Sequence, residues 1–338
     1  MLKNHFFQIL FWMFVVLGVN QVKAQDIHFS QFSQTPLSVN PAYTGLFEGN
    51  WRVANNYRNQ WSAVGTPFNT ISASFDKPFK LRKGQIGLGV YVLNDQSGAA
   101  NLTANKIMLS FAYQHNLNGH TIVAGIQAGY TIHSYELDQL TFPGQYDSQS
   151  GMFDSNLPNY LDAWDENIDY PDVNLGIAWT SNFNDIIPVV GFSAHHINGP
   201  ELSFLRADAK LAPRFAFNAN AYIPLQDMWY AKPNLYTNYQ KNASNYLVGG
   251  TIGYNFPLEE LLNKVYAGAQ LRTQFHSTDA FVAIIGVGVM GIDVGISYDL
   301  NVSALSKATN MRGAFELSIV YTNFISDLKQ ITIPCDRY

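Results

Sequence analysis

Between Thr121 and Ile132 the chain alternates residue by residue. Ile122, Ala124, Ile126, Ala128, Tyr130 and Ile132 fall on one face of an extended strand, and Thr121, Val123, Gly125, Gln127, Gly129 and Thr131 fall on the other. Segments of about ten residues with this period of two recur along the chain, an apolar face always opposed by small and polar residues. That pattern predicts an all-β, transmembrane outer-membrane β-barrel with lipid outside and a polar lumen inside. Sheet edges open to lipid would leave backbone groups unpaired, so the sheet must close on itself.

The alternation begins only after a leader. Lys3 supplies a short positive region, Phe6 to Val19 an apolar core, and Val22-Lys23-Ala24 a small-residue cleavage spacing. The leader, residues 1–24, is expected to be a signal peptide removed before Gln25. No later stretch reaches about eighteen uninterrupted apolar residues, which argues against a transmembrane helix. Charged residues are 13% of the chain, against about 25% in soluble proteins, and the net charge of −5 includes no basic stripe. Nucleic acid is therefore excluded as a partner. The single cysteine, Cys335, has no internal disulfide partner; it reads as a bystander in the tail, with intermolecular or reactive chemistry as the alternative.

Fourteen segments carry barrel character: 51–59, 68–77, 85–93, 103–115, 120–135, 173–180, 188–196, 213–222, 230–239, 246–255, 265–275, 280–289, 292–300 and 313–322. An even number returns both termini to the periplasm. Connection lengths support this parity. The even-numbered connections are short, such as Leu81-Arg82-Lys83-Gly84, Asn116-Leu117-Asn118-Gly119 and Met290-Gly291, whereas odd-numbered ones include the long stretches Glu136–Asp172, Ile197–Ala212 and Asn301–Arg312. The division that follows is a leader at 1–24, an N-terminal signature segment at 25–50 that is periplasmic or plug-like, a barrel at 51–322 and a periplasmic tail at 323–338.

Alternation also assigns a lumen-facing set: Arg52, Arg58, Lys106, Gln127, Arg214, Asn218, Asn220, Gln270, Arg272, Asp293, Asp299 and Glu316, interspersed with Gly87, Gly89, Gly249, Gly268, Gly286 and Gly295. Both signs of charge are present. An interior cross-linked by ion pairs or filled by a plug suits that mixture better than a single-sign ion-selective pore, and ordinary packing around small side chains is the plainer alternative.

The segment before the first strand does not alternate. Its run Gln25-Asp26-Ile27-His28-Phe29-Ser30-Gln31-Phe32 is followed by Pro36, by Asn40-Pro41-Ala42-Tyr43-Thr44-Gly45 and then by Tyr57-Arg58-Asn59-Gln60-Trp61. Together with Ser74-Phe75-Asp76-Lys77-Pro78-Phe79 and the tail Ile333-Pro334-Cys335-Asp336-Arg337-Tyr338, this resembles the PorP/SprF family, outer-membrane proteins of Bacteroidetes associated with the type IX secretion system. Asp336 stands where that family's tail usually has proline. The resemblance implies a role in the secretion, surface delivery or anchoring of a client with a C-terminal sorting domain, such as a gliding adhesin. It also implies contact with periplasmic ring components of that machinery, in a setting of outer-membrane lipid and lipopolysaccharide.

The residues alone give this segment a task. Pro36 and Pro41 restrict the backbone, Asn40-Pro41 favours a turn and Gly45 permits a sharp bend. Phe29, Phe32, Tyr43, Phe47 and Trp51 add aromatic contact area. The segment is expected either to enter the lumen as a plug or to lie across the periplasmic mouth and meet a partner, the alternative being a packed terminal arm with an aromatic girdle. The long loop Glu136–Asp172 also offers apolar area at Met152, Phe153, Leu157, Tyr160, Leu161, Trp164 and Tyr170. Candidate partner-binding residues are Phe29, Gln31, Phe32, Asn40, Pro41, Tyr43, Gly45, Phe153, Tyr160 and Trp164.

No enzyme signature is expected. His195-His196 lies near Ser193, but neighbours on a regular strand point to opposite faces, one imidazole to lipid or girdle and one to the lumen. No serine sits in a nucleophile motif and no acid is spaced to orient a histidine. The loop acids Asp138, Asp147, Asp154, Asp162, Asp165, Glu166, Asp169 and Asp172 lack the spacing of a dedicated calcium loop and read as a solvated acidic surface. No catalytic, metal or cofactor residue is assigned. A passive porin is the second reading and a barrel enzyme a distant third.

Overall fold

The computed structural model describes residues 27–62, 65–98, 101–136, 142–154, 157, 167–202, 210–241, 243–257, 262–274, 277–303 and 306–324. Its main body is a closed antiparallel barrel. The strands are β1 (Trp51–Gln60), β2 (Phe68–Leu81), β3 (Gly84–Ser97), β4 (Leu102–Leu117), β5 (His120–Ser134), β6 (Asn167–Ser181) and β7 (Ile187–His195). They continue as β8 (Arg214–Pro224), β9 (Trp229–Gln240), β10 (Ala243–Asn255), β11 (Leu262–Gln274), β12 (Ser277–Val289), β13 (Ile292–Asn301) and β14 (Arg312–Asn323). Each pairs with its sequence neighbours, and β1 closes on β14 in a register that sets Arg58 opposite Glu316. All fourteen strands expected from alternation are present, and the closed sheet leaves no edge facing lipid.

Alternation sorts the side chains as read. On β5, Ile122, Ile126, Tyr130 and Ile132 face outward, while Val123, Gln127 and Thr131 are buried inward. Trp51 packs between Phe75 and Tyr321 on the outer wall near the periplasmic rim, ring centroids 6.1 and 5.0 Å away, as aromatic girdles do. Several strands run past the expected limits because polar residues go on pairing beyond the apolar band. The largest shift is at β6, whose residues Asn167–Asp172 pair with Gly129–Ser134 of β5. Glu136–Asp172 is expected from sequence to be an external loop, so its last six residues are a correction. Asp169 and Asp172 are thus strand residues.

The histidine pair also departs from the expected split between lipid and lumen. Strand β7 ends at His195, and His196 turns at a positive φ of 57°, so both rings are buried and neither faces lipid. His196 Nδ1 lies 2.9 Å from Asp172, which also pairs with Lys106 at 3.0 Å. A regular strand separates neighbouring side chains; a strand that ends between them does not.

Candidate functional site

Inside the barrel runs the segment from Ile27 to Phe47. Its local shape follows from two prolines. Pro36 opens a single helical turn (Pro36–Val39) and Pro41 a 3-10 turn (Pro41–Tyr43), each at a first position where a missing N–H costs nothing. Between them Asn40 is extended and caps the second turn, its Oδ1 accepting the Ala42 N–H at 2.9 Å. Phe29, Phe32 and Leu37 are each at most 3% exposed, a burial worth about 1.5–3 kcal/mol apiece. Phe32 stacks on Tyr236 of β9 with centroids 5.1 Å apart. Of the readings open for this segment, a plug, a cover across the periplasmic mouth or a packed terminal arm, the structure shows the lumen plug.

The upper end of the plug sits in an ionic clamp. Arg58 of β1 binds Glu316 of β14 across the closure seam and Asp299 of β13 at 3.1 Å; Arg272 of β11 binds Asp299 at 2.8 Å. All four side chains are nearly excluded from solvent. Their charges cancel, which a buried cluster requires. Ser30 stands in the middle. Its N–H and that of Gln31 donate to the two Glu316 oxygens at 2.7 and 2.9 Å. Its hydroxyl donates to Asp299 at 2.9 Å and accepts from Arg58 at 3.0 Å and from Arg272.

The lower end is held mainly by shape. A Cβ at Gly87 would strike the Thr44 carbonyl, one at Gly125 the Pro41 backbone, one at Gly176 the Asn40 side chain, and one at Gly191 the Tyr43 hydroxyl. Glycines on β3, β5, β6 and β7 therefore form a groove that only a bare backbone wall can offer. Asn40 Nδ2 donates to the Ile177 and Phe192 carbonyls at 3.0 and 3.2 Å, and Tyr43 meets Asn218. Gly45 turns the chain at φ 70°, a left-handed conformation cheap for glycine. Its N–H donates to Asp76 at 2.7 Å, and its carbonyl accepts from Gln85 and Gln114 at 3.0 and 2.8 Å. Asp76 in turn takes Arg52 in a two-pronged bond of 2.7 and 3.0 Å.

Ser193 and His195 serve the plug as well. Ser193 Oγ donates to the Val39 carbonyl at 2.8 Å, and His195 Nε2 lies 3.3 Å from the same oxygen. Asp172 binds the neighbouring His196. That arrangement spends the tempting serine and histidine on an anchor for a backbone carbonyl.

The plug stands between two cavities. The external one, about 280 Å³, is lined by the outer ends of β3 to β9 and by Ile27. The periplasmic one, about 350 Å³, lies below Phe32, Val39 and Leu46. Since β1 starts at the periplasmic side, the plug enters β1 from below and its Ile27 end points outward.

Of the sequence-derived candidates, Phe29, Gln31, Phe32, Asn40, Pro41, Tyr43 and Gly45 are brought together, all buried against the barrel wall. Phe153 is separate, 54% exposed on a short external hairpin (Tyr146–Asp147 with Met152–Phe153) where it packs edge-on against Tyr146. Tyr160 and Trp164 lie outside the described residues, as do the leader, the tail from residue 325, and Asp138, Asp162, Asp165 and Glu166. Asp147 is held by its own hairpin, accepting the Gln149 and Ser150 N–H groups at 2.9 and 3.2 Å. Sequence reasoning missed Gly176 and Gly191 as plug contacts. Their signal was available: glycines at inward positions, within two residues of the same height, on neighbouring strands.

No curated protein matches the sequence. Solved structures of similar fold include a deltaS2S3 mutant of the monoaromatic hydrocarbon channel TodX, with 10% identity and a TM-score of 0.51 over 85% of this chain and 94% of that one. The monoaromatic hydrocarbon channel CymD follows with 11% identity and a TM-score of 0.50 over 86% and 93%. The toluene transporter TbuX of Ralstonia pickettii has 10% identity and a TM-score of 0.49 over 85% and 92%. At such identities the first two likenesses speak of fold alone. Over residues 21–321 the sequence matches the family described as type IX secretion system membrane protein PorP/SprF.

Proposed function

This chain belongs to the PorP/SprF family of type IX secretion system membrane proteins, and we propose that in the outer membrane it supports the surface delivery or anchoring of one dedicated client protein. The client is of the kind that carries a C-terminal sorting domain, a gliding adhesin for example, and the barrel serves it as a non-enzymatic receptor or assembly platform that also meets the periplasmic ring of the machinery. The observation that carries this reading over a passive porin is the plug. A pore for small solutes gains nothing from a lumen in which twenty-odd residues are keyed to the wall by a neutral ionic cluster and a glycine groove.

Several parts of the picture belong to the same proposal. Residues 1–24 are a removable leader, so the mature chain starts just before the plug. The external hairpin around Phe153, with Tyr160 and Trp164 further along the same loop, is the outward docking surface. The buried candidates Phe29 to Gly45 act by holding the plug in place.

The test is deletion of the gene, followed by quantitative mass spectrometry of surface, culture-fluid and periplasmic fractions. One or a few proteins with C-terminal sorting domains should leave the surface fraction. Accumulation in the periplasm means failed export, and release into the medium means failed anchoring. An unchanged exported set would end the secretion reading. Planar-bilayer conductance then decides the porin alternative, which requires steady open-channel current from the intact protein.

A further inference from the structure

The periplasmic cavity has a chemistry that neither the plug nor the family role uses. Lys232 on β9 projects inward into it with a solvent-accessible side chain. Its ammonium lies 5.7 and 5.4 Å from the ring centroids of Tyr222 and Tyr230, which stack on each other at 5.3 Å. The nearby acid is already taken. Asp293 is ion-paired with Lys264 and accepts the Tyr266 hydroxyl at 2.8 Å. Among the described residues, no carboxylate lies within ion-pair distance of Lys232, which leaves one uncompensated positive charge in an aromatic-walled recess.

From this arrangement we propose that the cavity binds the free carboxyl end of a polypeptide arriving from the periplasm, its terminal carboxylate against Lys232. Three features select that ligand. An anion answers the unpaired ammonium, and an arriving amino terminus would be repelled by it. The plug residues Phe32, Val39 and Leu46 form part of the wall of the recess, so a chain arriving from the periplasm meets the plug end on, and a polypeptide presents a carboxylate head first only at its C terminus. The side-chain amides of Asn218, Asn220, Asn234 and Gln270 line the same space. A polypeptide main chain can hydrogen-bond to an amide-lined wall; an alkyl chain cannot. Lys232 sits three residues into β9, about 10 Å above the rim at about 3.3 Å per residue. Two or three terminal residues are enough to reach it.

The proposal stands apart from the identity of any client, and its failure leaves the secretion reading intact. The test uses the full-length barrel in detergent and a fluorescein-labelled tetrapeptide ending in phenylalanine with a free carboxylate. Its C-terminally amidated twin and dodecanoate are the comparisons. The free acid should bind at least tenfold more tightly than the amide. Lys232→Met should erase that preference and Lys232→Arg should keep most of it. Heat-modifiable gel migration checks that both variants are folded. Equal binding of acid and amide, no binding of either, or an unchanged preference in Lys232→Met overturns the proposal. Dodecanoate binding as tightly as the peptide overturns it too, by showing a site for an alkyl carboxylate instead.

Discussion

The two ends of the plug are held by opposite kinds of physics. Around Ser30 the wall supplies four charges that must all be present and all be paired. Around Asn40 to Gly45 it supplies missing side chains. The first is strong only while complete, because a buried ion that loses its partner keeps its desolvation penalty. The second is graded, since a groove can be narrowed a methyl group at a time. A segment fastened both ways is fixed in register by charge and in depth by shape.

The contrast is open to direct attack. The largest effect is expected from Glu316→Ala, which leaves Arg58 and Arg272 to share the single carboxylate of Asp299 and frees the Ser30 and Gln31 N–H groups. It should weaken the upper end by about 3–5 kcal/mol, read as faster hydrogen exchange at those two amides and as a larger bilayer current than that of the parent. Replacing the seam pair together, Arg58→Met with Glu316→Leu, should cost much less than the sum of the single changes; an additive loss would mean that the clamp is no unit. Next comes Gly125→Val, which drives a side chain into the Pro41 backbone, at about 1–3 kcal/mol. Here the Ala42 and Gly45 amides should exchange faster while Ser30 and Gln31 stay protected. Uniform loss at both ends would erase the distinction between them. Asn40→Ala should cost about 1–2 kcal/mol through the lost cap and wall bonds, with the same local exchange signature. The smallest change, about 1 kcal/mol, is expected from Thr44→Val, which loses the 2.6 Å contact with Ser110 and should leave conductance at the parental level.

How far the sequence carried the reading differs between wall and plug. The wall was legible because lipid and lumen impose a period of two on every strand, so Ile122 to Ile132 or Arg58 and Asp299 could be assigned a face before any coordinate was known. It failed where that solvent contrast stops. Above the apolar band Tyr170 and Asp172 still pair in β6, yet their composition is that of a loop. At His196 one left-handed residue defeats parity altogether. The plug was legible as an ordered non-strand segment from Pro36, Asn40-Pro41 and Gly45, but its destination was not. Whether it lay across the mouth or inside depends on matching it to glycines on four later strands, a match visible only when those strands are set side by side. Lys232 was hidden for a related reason: a single inward lysine looks like any other until its neighbours show that no acid answers it.

The clamp straddles the place where the first strand meets the last. Because Arg58 and Glu316 face each other across that junction with Ser30 bridging them, closing the cylinder and seating its contents are a single event. The residues made first must wait in place for those made last, and a barrel shut around an empty lumen would have to reopen to admit them. Newly made chains should therefore show one cooperative closure step, whose rate depends on Ser30 as much as on the strands it joins.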